Sequence, residues 1–243
     1  MVAAASAVIA VLSLAWLINP WFAVPDDLRQ IVTYVFWVSF IVLAIALFAG
    51  RSEPGASEVE IQGPALTRYL FHNSRAGLFW LPIRLFVGVA WLDAGLHKIT
   101  DPAWTQGGEA LKGYWERAAS IPEEGRPPIS YEWYRDFIQF LLDNDAYTWF
   151  AWLVTLGEIA VGIALIVGLL TGIAAFFGAF MNMSFMLAGS ASTNPVLFVL
   201  AVGLMLAWRV AGYYGLDRYL LPMLGAPWSP GALFHREESS PAT

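Results

Sequence analysis

The chain has no cysteine. That excludes disulfides, thiol redox chemistry, iron–sulfur ligation and covalent c-type haem. Histidine is nearly as scarce. His72, His97 and His235 are the whole supply, and no two sit at metal-ligand spacing. No metal site is expected, and no covalently bound cofactor. Charge is also sparse, at 13% of residues, where a soluble domain averages about 25%. The formal net charge of -6 argues against nucleic-acid binding. What fills the chain instead is apolar: 58% hydrophobic, with a mean hydropathy of +0.59. These residues fall in long runs, the pattern of a polytopic, all-α membrane protein in contact with lipid.

Six transmembrane helices are expected, over residues 3–24, 31–50, 78–98, 147–170, 172–189 and 196–212. The first run lacks a basic n-region and is too long for a signal peptide, so it is read as a true span. Residues 1–50 then form a two-helix annex, joined by a turn at Pro25-Asp26-Asp27. Residues 51–77 open on RSEPGASE and read as a polar linker. A short interfacial helix is expected within it, over 67–74. The connector 99–146 is net acidic and too aromatic for a disordered loop. Helical spacing there predicts two amphipathic helices. One carries Ala110, Leu111, Tyr114, Trp115 and Ala118. The other carries Trp133, Tyr134, Phe137, Ile138 and Leu141, with Ser130 as its cap. They would form a cover over the bundle, or an aromatic belt that anchors the loop to headgroups. After the last span, 213–221 is expected as an interfacial helix stopped by Pro222, and 229–243 as a disordered tail. Basic residues near span ends favour cytoplasmic termini and an external 99–146 connector, in a multi-pass protein of the cell membrane.

Charges inside spans are costly and point to partners or purpose. In the third span, Arg84, Gly88, Trp91, Gly95 and Lys98 share one face. Asp93 and His97 form an i, i+4 pair near the opposite face. Helical rise puts Arg84 about 9 Å from one boundary and Glu158 about 16 Å from the other. An Arg84–Glu158 ion pair is therefore expected, with Asn182 able to join it. It is architectural or functional with equal logic. The Asp93–His97–Lys98 cluster lies at the connector end. It suits a small anion, or proton exchange with a quinone. The plainer alternative is a snorkelling Lys98 and a His97 bonded to Asp93. On this division Arg84 serves folding and His97 serves binding.

Four segments carry a family resemblance: RLFVGVAWLDAGLHKITDPAW, LGEIAVGIALIVGLLTG, NMSFMLAGSASTNPVLF and AWRVAGYYGLDRYLLPMLGAPW. Together they span residues 78–228 and resemble the DoxX/DoxD family, which includes the membrane subunit of thiosulfate:quinone oxidoreductase. The resemblance implies a four-helix membrane bundle as core, to which the annex is an addition. It also implies oxidation of thiosulfate to tetrathionate with electrons passed to a membrane quinone, beside other subunits of a complex. On that reading Arg84, His97, Lys98 and Glu158 are candidate quinone or anion contacts. Two alternatives stand beside it. One is a non-catalytic accessory subunit of a larger electron-transfer complex. The other is a lipid- or small-molecule-binding membrane protein.

Overall fold

A computed structural model describes residues 2–18, 26–49 and 63–226. Pro25, the RSEPGASE stretch and the 229–243 tail lie outside the described residues. Every regular element among the described residues is helical. The chain divides into two compact units, residues 1–62 and 63–243.

In the first unit, α1 (Val2–Ile18) packs against α2 (Asp26–Ala49). Ser6, Ala10 and Ser13 are buried on α1, and Ser39 on α2. Small residues at a seam let two helices approach closely, which matters where apolar burial alone gives no drive to associate.

The second unit is built on α4 (Gly77–Thr100), α8 (Tyr147–Val167), α9 (Thr171–Leu187) and α10 (Asn194–Leu206). Each packs on the next and α10 closes back on α4, so the four make a bundle. Two helical stretches, Ser74–Thr100 and Tyr147–Val167, are long and apolar enough to cross a membrane; α9 and α10 are shorter apolar helices. Large apolar side chains cover the outside, among them Phe79, Phe86, Leu153, Phe177, Phe180 and Val199. An apolar coat of this extent is the surface of a protein that contacts lipid.

The α4–α8 seam is the tightest. A Cβ on Gly95 would lie 2.9 Å from the backbone nitrogen of Ile159, and one on Gly162 would lie 2.5 Å from that of Leu92. The helix that Gly95 lets in so closely is α8. These contacts also set the antiparallel register: Gly95 lies beside Glu158 and Ile159, and Gly88 beside Gly162 and Ile166.

At one end, the α8–α9 reversal is fastened by the segment after α10. That helix breaks at Ala207, and a short α11 (Trp208–Ala211) follows. The expected tail helix over 213–221 begins only at Asp217, as α12 (Asp217–Met223), and Pro222 sits inside it. The amides of Leu216 and Asp217 donate to the carbonyls of Val167 and Gly168 instead of continuing a helix. The Asp217 carboxylate accepts from the amides of Leu170 (2.5 Å) and Thr171 (2.9 Å), which satisfies the open start of α9. Docked at this end is α3 (Ala65–His72), the expected interfacial helix. The Trp80 indole donates to the Leu70 carbonyl at 2.8 Å.

At the other end lies the cover: α5 (Pro102–Thr105), α6 (Glu109–Ala119) and α7 (Glu132–Asp143). Its own core gathers Leu111, Trp115, Ile129, Tyr134, Ile138 and Tyr147. The Tyr134 hydroxyl donates to the Ser184 carbonyl on α9 at 2.9 Å, which ties cover to bundle. The second amphipathic helix is present as α7, which buries the Tyr134–Ile138–Leu141 stripe and leaves Trp133 and Phe137 61% and 46% exposed. The N-cap is Tyr131, not Ser130, and it makes no side-chain cap bond.

Candidate functional site

The expected Arg84–Glu158 ion pair does not form. The α4–α8 register sets Arg84 beside Gly168, ten residues beyond Glu158, or about 15 Å along the axis. Gly168 has a φ of 71°, and a Cβ there would collide with the guanidinium. Arg84 is buried. It donates to the carbonyl of Tyr214 at 3.0 Å and of Ala211 at 3.4 Å. Asp217 supplies its opposing charge. Arg84, the 211–217 loop and Asp217 thus hold the reversal end of the bundle together. Its two terminal nitrogens are bonded to backbone carbonyls, while its buried Nε has no hydrogen-bond partner.

Glu158 pairs instead with Lys98. The Lys98 Nζ donates to Glu158 Oε2 at 2.7 Å, with side chains 18% and 1% exposed. Lys98 starts one turn beyond Gly95 and reaches back along the seam to a carboxylate buried on α8. The ammonium also lies 5.1 Å from the centre of the Trp104 ring, a distance at which the ring face attracts a cation. Trp104 arrives there because Asp101 ends α4 and caps α5. Its carboxylate accepts from the Ala103 amide at 2.9 Å, and Pro102 takes the first helical position. The chain folds back at once and sets the indole as a lid over Lys98.

The Asp93–His97–Lys98 cluster is therefore divided. His97 Nδ1 lies 2.8 Å from the Asp93 carbonyl and 3.4 Å from its carboxylate, and both side chains are more than two-thirds exposed on the outer face of α4. Lys98 turns inward. The helical spacing explains the split, since 93 and 97 lie opposite the Arg84–Gly95–Lys98 face.

Two more polar groups face the interior. Asn182 on α9 is fully buried, and neither atom of its amide has a hydrogen-bond partner. The Trp91 indole nitrogen is likewise buried without one. It lies 2.9 Å from where a Cβ of Gly178 would stand, one turn before Asn182 on α9. Helical side chains lean toward the N-terminus, so the amide of Asn182 leans over that turn. A buried amide without a partner costs about 1–3 kcal/mol. Such groups are normally met by water or a ligand. Gly157 on α8 faces Met181, so Asn182 lies near the Glu158 level.

Sequence reasoning named Lys98, Glu158 and Asn182 but missed Trp104 and Trp91. The Asp-Pro after Thr100 was the available signal for Trp104, because it forces an early chain reversal. Among the described residues no group of three or more His, Asp or Glu could hold a metal ion. A surface depression of about 330 Å³, lined by Lys112, Glu116, Gln139 and Asp143 among others, lies on the cover, away from this centre.

The centre can hold a proton between an amine and a carboxylate, and it offers N–H donors from Lys98, Trp91 and Asn182. No curated protein and no solved structure matches the chain. A family match does exist. It runs from α4 through the cover, α8 and α9, so it includes Lys98, Trp104, Glu158 and Asn182 and leaves out the Asp217 fastening. That stretch, residues 79–191, matches DoxX, and the chain carries a DoxX-family domain.

Proposed function

We propose that the chain is a quinone-reactive membrane subunit whose working centre is Lys98–Glu158 under the Trp104 lid. The observation that carries this reading is the Lys98–Glu158 ion pair, set inside an apolar bundle with the Lys98 side chain partly exposed. A quinone carbonyl accepts hydrogen bonds, and the donors near the pair fit it: the Lys98 ammonium and the unpartnered N–H groups of Trp91 and Asn182. Reduction of a quinone consumes two electrons and two protons. Lys98 and Glu158 would relay the protons. The electrons, on the family resemblance, come from two thiosulfates joined into tetrathionate. A free anion is poorly served at this centre, because Glu158 already neutralises Lys98. Thiosulfate would then be oxidised on a partner subunit. The lack of cysteine favours the same division, since this chain cannot hold sulfur covalently.

The test is equilibrium binding of a short-chain benzoquinone to the purified full chain in detergent. Saturable binding is expected. The double variant K98M/E158M removes both charges together and should fold, yet lose the binding. Equal binding by wild type and double variant would refute the reading and leave the accessory-subunit alternative.

A further inference from the structure

The two ends of the second unit carry opposite charge. The cover, residues 99–146, holds nine acids against Lys112, Arg117, Arg126 and Arg135. At the reversal end, α3, the 3-10 turn Ser74–Ala76, α11 and α12 carry Arg68, His72, Arg75, Arg209 and Arg218. Among the described residues of these four elements the acid is Asp217, and it is wholly buried with its oxygens spent on Leu170 and Thr171. Nothing acidic remains at the surface of these elements to neutralise the arginines.

The arginines rest on aromatic rings. The Arg218 guanidinium lies 5.3 Å from the ring centre of Tyr213 and 5.9 Å from that of Tyr219. That of Arg209 lies 5.4 Å from Trp208. A guanidinium stacked on a ring can still offer edge N–H groups to an anion; on Arg209 the Nε is buried, which leaves that role to its terminal nitrogens. Beside them stand exposed apolar groups: Leu66 and Tyr69 on α3, Leu216 next to α12, and Tyr219. The amphipathic α3 packs on α11 and the 3-10 turn, and Leu216 and Asp217 bond to the α8–α9 reversal, so these groups gather at one end of the unit. Basic and aromatic residues interleaved with apolar ones, at the end of an apolar bundle, match the headgroup layer of a bilayer.

We propose that this end is a docking surface for anionic phospholipid. Arg68, Arg75, Arg209 and Arg218 engage lipid phosphates, while Leu66, Tyr69 and Tyr219 enter the acyl boundary. The cytoplasmic leaflet is the anionic one, so the reversal end faces the cytoplasm and the acidic cover faces outward.

The experiment reconstitutes the full chain in vesicles of phosphatidylcholine and phosphatidylglycerol, extracts it gently and reads retained lipid by native mass spectrometry. Wild type should retain phosphatidylglycerol above its share of the vesicle. Each arginine removed should lower the preference about fivefold, so R68Q/R75Q/R209Q/R218Q should retain lipid in the bulk ratio. E123Q/E124Q on the cover should change nothing. Retention in the bulk ratio by wild type, or an undiminished preference in the quadruple variant, overturns the proposal. Should that variant fail to fold, a salt series on wild type decides: a preference that falls with salt supports the proposal, and one that ignores salt overturns it. Orientation is read separately in intact cells, where a cysteine-free chain gives no background. An impermeant maleimide should label S120C and spare S74C. The reverse pattern overturns the sidedness.

Discussion

Replacing Lys98 by methionine leaves Glu158, 1% exposed, as a lone carboxylate in an apolar bundle. The N···O separation is 2.7 Å. At an effective dielectric constant of about 20 the attraction lost is about 6 kcal/mol. Part of this repays desolvation of the two ions, so the net loss from removing one partner is about 3–5 kcal/mol. Against a total stability of about 5–15 kcal/mol that is a large fraction. The double variant K98M/E158M buries two apolar side chains of similar size in place of the pair. It should regain most of the loss and come within about 1 kcal/mol of wild type. The assay is SDS-driven unfolding in mixed micelles, followed by far-ultraviolet circular dichroism, over the full mutant cycle. A coupling energy near zero between positions 98 and 158 would refute the reasoning. The same cycle with R84Q and E158Q should be additive, because register places those residues at different levels of the bundle.

Asp217→Ala should cost about 3 kcal/mol, because it strips two charge-assisted bonds from the start of α9 and leaves their donors buried. Thermal unfolding in detergent measures it, and a loss under about 0.5 kcal/mol would show that the reversal is held some other way. Burial pushes the Tyr134 phenol above its usual range. The folded state therefore keeps that proton longer than the unfolded one. Cover stability is fully present below about pH 10 and falls as pH rises further. Limited proteolysis in the 120–128 loop should speed up there in wild type, and the pH step should shrink in Tyr134→Phe.

Much of this arrangement was legible in the sequence. Apolar runs located α4, α8 and α9 within about three residues, because lipid demands continuous apolar helix whatever the tertiary packing; the expected 196–212 span instead ends at Leu206, and a separate α11 follows. The wheel of α4 separated Arg84, Gly88, Trp91, Gly95 and Lys98 from Asp93 and His97, and burial follows that division. Register was not legible. Depth counted from assumed helix ends put Arg84 and Glu158 at one level. The true level is set by Gly95 and Gly162 closing on opposing backbone, a pairwise fit that neither helix reports alone. The role of Asp217 was hidden for the same reason. A lone acid in a tail has no visible partner until the α8–α9 reversal is brought beside it.

The glycine seam has one more consequence. With backbone against backbone at Gly95 and Gly162, no flat ring can slip between α4 and α8. The Lys98 side chain surfaces at the end of that seam, beside the Trp104 ring. The four-residue α5, capped by Asp101, is what holds the indole at that position.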